Sequence, residues 1–330
     1  MQSISDVKSN GDKLKKPKAV RRRNKWTRDD TELSLLALPT SIWYLLFCYL
    51  PMFGIIIAFK NFKIFPNEGF LGSLLKSDWV GFSNFKYLFM GNDMLILLRN
   101  TILYNVVFII QGLVVPVALA IMMSMLRNQR SGKLYQTFMF FPHFLSWVVV
   151  SYFVLAFLQP DRGIINTYRT FAGQDKINLY LNPKFWVYAF PMLNLWKGVG
   201  NGMVVYLACI TGIDASLYEA AVIDGANKRQ QIRYITLPAL KPMIVMMFIL
   251  NIGRIFYSDF GLFYQVTQGI PGSIYSVAAT IDTYVFRSLR SNMPYGMIAA
   301  PSFIQSVACC ATILLANAII RKVDPENALI

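Results

Sequence analysis

Apolar and polar positions along this chain are sorted into blocks rather than alternated. Six stretches are dominated by Leu, Ile, Val, Phe, Met and Ala: Leu35–Phe59, Ile102–Leu126, Phe138–Leu158, Phe185–Ile210, Met243–Tyr264 and Ile298–Ile320. A helix of about 20 apolar residues crosses the hydrocarbon of a bilayer, so each block predicts a membrane span. Pro39, Pro51, Pro116, Pro142, Pro191 and Pro301 fall inside five of them. Proline removes a backbone donor and kinks a helix, and a membrane bundle tolerates this where neighbours satisfy the freed carbonyl. The pattern predicts kinked spans bent around a cavity.

The polar segment before the fifth block has its own local code. Ser216 stands three positions before Glu219, the capping-box spacing. A short helix is predicted from Leu217 to about Asp224, ended by Gly225 in a left-handed conformation. Asn227 caps a second short helix over Lys228–Ile235. Pro238 and Pro242 are expected to stop it and to set the entry into the fifth span. Small residues on the first helix (Ala220, Ala221) allow close approach by a second protein, with Glu219 and Asp224 offering charge at the edge.

Charge fixes which side this hairpin faces. The formal net charge is +15. Of 32 Lys and Arg, ten precede Thr31, from Lys8 to Arg28. Others concentrate in the second loop (Arg127, Arg130, Lys133), the fourth (Lys228, Arg229, Arg233, Lys241) and the C-terminal tail (Arg321, Lys322). With six spans the tails and even-numbered loops share one side, and the positive-inside rule makes it the cytoplasm. That distribution argues against nucleic acid as the reason for the charge, and the basic tail suits anionic membrane lipid. Residues 1–30 lack the short basic region and cleavage site of a signal peptide.

Composition narrows the class further. The chain is 55% hydrophobic and 15% charged, with a mean hydropathy of +0.44, outside the soluble range of about 25% charged. Cys48, Cys209, Cys309 and Cys310 lie in or beside apolar blocks, and there is one His. Neither a structural zinc set nor a redox pair is expected. No nucleophile–base pair or paired carboxylates point to an enzyme. An ion-gradient-driven secondary transporter would need repeated halves and membrane carboxylates; Asp259 is the one clear candidate and no repeat is visible. No G-x-x-x-x-G-K-[ST] loop occurs, so a chain that uses ATP must borrow the ATPase.

Polar residues at membrane depth mark a pathway or a partner. Counting about 1.5 Å per residue from the span ends puts Asn194, Lys197 and Arg254 at similar depth, roughly 14–18 Å in. Asn251, Tyr257 and Asp259 extend this surface, Trp196 supplies a face for a sugar ring, and Gln111 and Gln305 are near enough to join. Two readings of Arg254, Lys197 and Asp259 stay open: solute contacts, or a structural ion-pair network.

The hairpin motif Tyr218-Glu-Ala-Ala-Val-Ile-Asp224-Gly225-Ala226, followed by Ile235-Thr-Leu-Pro238, resembles the permease subunits of ATP-binding-cassette importers. Tyr49-Leu-Pro51-Met52-x-Gly54, Ala58-Phe-Lys60, Trp79-Val-Gly81-Phe-x-Asn84-Phe85, Phe141-Pro142-His143-Phe144-x-Ser146-Trp147, Leu195-Trp196-Lys197 and Thr283-Tyr-Val-Phe-Arg287 are similar to its complex-carbohydrate and oligosaccharide branch. The family often has an aromatic where Arg229 or Ile232 stands here. The resemblance implies an all-α integral membrane protein of the type I importer fold, with six transmembrane helices and a cytoplasmic helical coupling loop. It implies a permease for an oligosaccharide or related glycan-derived solute in the bacterial cytoplasmic (inner) membrane, with both termini cytoplasmic. It assigns ATPase coupling to Glu219, Ala220, Ala221, Asp224, Gly225, Ala226, Leu237 and Pro238. Expected partners are a second homologous permease, a cytoplasmic ATPase dimer and an extracytoplasmic solute-binding protein. No cofactor belongs to this chain; ATP and Mg sit on the ATPase. The expected organisation is a basic tail (1–34), a first span with an outer segment (35–93), a permease core (94–322) containing the coupling loop (213–242), and a C-terminal tail (323–330).

Overall fold

A computed structural model describes residues 28–90, 93–126 and 128–323. The basic residues Lys8 to Lys25, Arg127 and the tail 324–330 lie outside the described residues. The chain divides into two compact units, Met1–Gly54 and Ile55–Ile330.

In the first unit the described residues belong to helix α1 (Asp29–Phe59), whose last turns continue into the second unit. As far as Phe53 its apolar side chains are exposed all round, Leu36 and Phe47 among them. A helix apolar on every face is solvated by lipid or by other helices.

The second unit opens with a two-residue antiparallel ladder of β1 (Lys60–Asn61) and β2 (Asp78–Trp79), with α2 (Phe70–Lys76) between them and α3 (Ser83–Phe89) after. Asn84 of the Trp79–Phe85 motif is buried and donates from Nδ2 to the carbonyls of Ala58 (2.9 Å) and Lys60 (3.1 Å). It thus closes the open carbonyls where the first helical rod ends. Phe59 stacks on Trp79 and meets Phe85 and Phe303 edge-on or tilted.

The bundle follows: α4 (Asp93–Ser124), α5 (Gln129–Phe140), α6 (Trp147–Leu158), α7 (Ile164–Phe171), α8 (Pro183–Thr211), α9 (Ala215–Ile223), α10 (Lys228–Ile252), α11 (Ile281–Arg290) and α12 (Tyr295–Val323). Among the described residues α1, α4, α10 and α12 each have the length and hydropathy of a span. Two bent pairs supply the remaining apolar blocks. The third block is not one rod: its two helical halves meet at 96°. Pro142 forces the turn, and Ser146 starts the second half by accepting the Val149 N–H. Helix α8 is about 43 Å long. It reaches spanning hydropathy only together with α9, bent 69° away, because Asn194, Lys197 and Asn201 dilute it.

The fifth block also departs from expectation. The helix starts at Lys228 rather than near Met243, runs through Pro238 and Pro242, and stops at Ile252. The prolines do not break it because Ile232–Thr236 is a π-turn. There the Leu237 N–H reaches back to the Ile232 carbonyl, and the widened turn makes room for the Pro238 ring. Beyond Gly253 the chain unwinds and re-forms only as a π-turn at Gly261–Gln265. Arg254, Tyr257, Ser258 and Asp259, expected on a helix, lie in this unwound stretch.

The core sits where α4 packs along α8. An aromatic layer (Tyr104, Trp186, Phe190, Phe263) fills one half, and Val117, Ala120, Met203, Tyr206 and Leu240 fill the other. Gly200 of α8 crosses the end of α5 backbone to backbone: a Cβ there would lie 2.6 Å from Phe140 Cα and closer still to the Met139 carbonyl oxygen.

Candidate functional site

Two sites arise from this frame, a projecting hairpin and a polar cavity. In the hairpin, Asp214 rather than Ser216 caps α9, its carboxylate accepting the Ser216 N–H at 2.9 Å. Asp214 has a non-helical backbone (ψ 124°) while Ser216 already lies within the helix, so the cap falls to Asp214. The Ser216 amide and hydroxyl hold the Asp214 carboxyl below its ordinary range. Gly225 has φ +79°, a conformation that costs a residue with a side chain about 1–2 kcal/mol. Asn227 and Gln230 form a reciprocal capping box at the start of α10. The hairpin is tied to itself by Tyr218 and Thr236 (hydroxyls 2.9 Å apart) and by Gln231, which donates to the Ala226 carbonyl.

What the hairpin lacks is cover. No residue of α9 is buried. Leu217, Val222, Ile223 (85% exposed) and Tyr234 present apolar surface beside exposed Glu219 and Asp224. Of the remaining motif residues, Ala220, Gly225, Leu237 and Pro238 are exposed, while Ala221 and Ala226 are half-buried.

The cavity has a volume of about 640 Å³, within the range of about 300–1,000 Å³ for small-molecule sites. Helix α4 contributes Asn105, Gln111 and Gly112; α8 contributes Asn194, Gly198 and Asn201; α10 contributes Asn251. The unwound stretch contributes Arg254, Tyr257, Ser258 and Asp259. Asn194, Gly198 and Asn201 share one face of α8 by their spacing of four and seven residues.

Five of the seven sequence-predicted pathway residues therefore line this cavity: Asn194, Asn251, Arg254, Tyr257 and Asp259. Trp196 and Lys197 do not. Trp196, about 200° around the helix from Asn194, lines a separate apolar hollow with Phe141, Phe153, Phe157 and Trp186. Lys197 donates to the His143 carbonyl (3.1 Å), which the break in the third block leaves free, and lies 5.3 Å from the centre of the Trp147 ring. Depth along the span suggests Lys197, and its aromatic ring suggests Trp196; helical phase, which neither argument uses, places them elsewhere.

The ion-pair reading of Arg254, Lys197 and Asp259 is overturned. Asp259 accepts the Trp147 Nε1–H at 2.6 Å and the amides of Gly261 and Leu262 at 2.9 and 3.3 Å. Lys197 is committed to a carbonyl. Among the described residues no side chain or carbonyl bonds the Arg254 guanidinium. Trp147 thus joins the two broken blocks, pinned to Asp259 on its edge and covered by Lys197 on its face.

The unwound stretch is held by residues that sequence reasoning missed or named only as possible neighbours. Asn105 Nδ2 donates to the carbonyls of Ile255 (2.8 Å) and Tyr257 (2.9 Å). Gln305, buried on α12, donates to the Phe256 carbonyl at 2.7 Å. Asp282 of α11 accepts the Ser258 amide and hydroxyl at 2.6 and 2.7 Å. Irregular backbone survives at membrane depth only where such partners replace the helix's own bonds. A lone Asn in the apolar block Ile102–Leu126 was the available signal for Asn105; nothing local marked Asp282.

Comparison with known proteins follows the same lines. Residues 116–326 match the family described as binding-protein-dependent transport system inner membrane component. The chain is 33% identical to Protein LplB of Bacillus subtilis (strain 168) over 94% of its length and 92% of that protein's. It is 34% identical to the polygalacturonan/rhamnogalacturonan transport system permease protein YteP of the same organism, over 89% of each. A crystal structure of a bacterial ABC transporter involved in the import of the acidic polysaccharide alginate contains a similar chain (TM-score 0.79, 30% identity, 90% of this chain and 97% of that one). A bacterial alginate ABC transporter in complex with an alginate pentasaccharide-bound periplasmic protein is similar at TM-score 0.78 and 29% identity, over 89% and 96%.

Proposed function

Since this chain belongs to the family of inner membrane components of binding-protein-dependent transport systems, a multi-pass permease family, we propose that it forms one half of the pathway of an ATP-driven oligosaccharide importer. The names of YteP and of the alginate transporter, both concerned with glycans, support a glycan-derived solute. The pathway runs along the polar cavity between α4, α8 and the unwound stretch after α10. The functional division follows: residues 94–322 form the permease core, residues 213–242 its coupling loop, and residues 35–93 flank it.

One observation carries this reading. Helix α9 hangs between two spans with no buried residue and with Ile223 85% exposed, which is a surface waiting for a partner. The partner is a cytoplasmic ATPase dimer that holds ATP and Mg, since the chain has no phosphate loop of its own. Glu219, Ala220, Ala221, Asp224, Gly225, Ala226, Leu237 and Pro238 form the seat, and a homologous permease and a solute-binding protein complete the assembly. The hairpin and both termini face the cytoplasm, as the basic loops require. Because α10 is continuous from the hairpin to Ile252, a push on Gly225 is delivered as a rigid-body tilt to the stretch bearing Arg254.

Glu219→Lys and Gly225→Asp are expected to abolish uptake and co-purification with the ATPase while leaving the chain in the membrane. Normal uptake by the well-expressed double variant would refute the docking role. Labelling from outside the cell of a cysteine placed at Asp224 would refute the orientation.

A further inference from the structure

The cavity holds two charged side chains, Arg254 and Asp259, and they are not held alike. Asp259 is saturated in place: the Trp147 indole and the Gly261 and Leu262 amides all donate to its carboxylate. Arg254 faces the same cavity with no acceptor among the described residues. Its side chain is exposed to that space, and a cation at membrane depth that faces a cavity rather than a partner marks a substrate path. The neighbouring groups cannot supply the missing charge. Asn251 bonds back to the Met247 carbonyl at 2.7 Å, and the Asn194 amide oxygen takes the Gln111 N–H at 3.2 Å. Tyr257 is 3.2 Å from the Ser306 hydroxyl.

Resting on the reading of this cavity as the solute path, we infer that the solute is an acidic oligosaccharide and that Arg254 supplies the counter-ion for a uronate carboxylate as it passes. A guanidinium presents a planar fork of donors that a carboxylate matches in bidentate fashion. The surrounding amides and the Tyr257 hydroxyl suit the ring hydroxyls. A neutral sugar would leave the cation as unpaired as it stands now. The position of Arg254 favours passage over storage: it sits on unwound backbone just past Gly253, at the free end of the helix that the hairpin moves.

The test uses the whole importer, with its partner subunits and binding protein, reconstituted in liposomes with ATP. The probes are a panel of labelled uronate trisaccharides and their carboxyl-reduced neutral counterparts, which differ only in the charge. Wild type is expected to import a uronate trisaccharide. Arg254→Gln should lower that uptake about tenfold or more, the loss of one charge-assisted contact. Arg254→Lys should recover most of it, and any uptake of the reduced counterpart should fall far less. Equal losses for both probes in Arg254→Gln, or no loss for either, would overturn the inference. So would a wild-type importer that moves the reduced sugars, or a sugar phosphate, but no uronate, while leaving the oligosaccharide-importer reading in place for the sugars. Import of no sugar at all would sink both.

Discussion

Replacing Gln305 by leucine removes the donor that holds the unwound stretch from the α12 side. Its Nε2 spans the Phe256 carbonyl at 2.7 Å and the two Asp282 oxygens at 3.2 and 3.3 Å. Leucine keeps comparable bulk and donates nothing. The Phe256 carbonyl then stands unsatisfied, at about 1–3 kcal/mol. Asp282 keeps Ser258 but loses its third donor, which adds roughly 1 kcal/mol. A total of about 2–4 kcal/mol corresponds to a drop of roughly 4–16 °C in the unfolding midpoint, scaled from soluble domains of 150–250 residues. Tryptophan fluorescence of the detergent-solubilised complex during heating would read it. Gln305→Glu sharpens the test, because it fits the space as well as glutamine but sets a carboxylate against Asp282. It should unfold earlier than the leucine variant at neutral pH. A leucine variant as stable as wild type would show that the break does not depend on this donor. A glutamate variant more stable than leucine would show that a carboxylate at position 305 meets no repulsion from Asp282, and would refute that contact.

Gly200→Ala should lower the yield of monodisperse protein and cost about 1–3 kcal/mol in thermal stability, because the added carbon meets backbone rather than a movable side chain. Wild-type behaviour would mean that α8 does not cross the end of α5 this closely. Trp147→Phe removes the N–H that Asp259 accepts but keeps a ring for Lys197. It should cost about 1–2 kcal/mol after screening. Trp147→Leu should cost a further 0.5–1 kcal/mol or so, the cation–π contribution. Identical unfolding midpoints for the two variants would remove Lys197 from the ring.

The hairpin was legible almost residue by residue because its code is local. Gly225 takes the left-handed conformation and Asn227 the cap that their residue types favour. The cap on α9 was misjudged by two positions, since Asp214 and Ser216 both accept hydrogen bonds and only the backbone conformation at Asp214 decides between them. In the cavity, depth along the spans was countable, and of Asn194, Lys197 and Arg254, placed at similar depth, Asn194 and Arg254 line one cavity. Trp196 lines another hollow because a two-residue step turns a helical side chain about 200°.

By itself the sequence determined the apolar blocks, the hairpin motif and the family that this motif marks. All of these follow from composition within a window of some 20 residues or from a contiguous motif. Only the tertiary structure decided where the third and fifth blocks break, which residues share a cavity, and that the Arg254 guanidinium bonds none of the described residues. A helix can unwind inside a membrane only if its freed carbonyls and amides are met from elsewhere. Here they are met by Asn105, Asp282 and Gln305 from three other helices, up to 152 positions away in the chain. Such a condition is a property of how the helices are packed, and no window along the chain contains it.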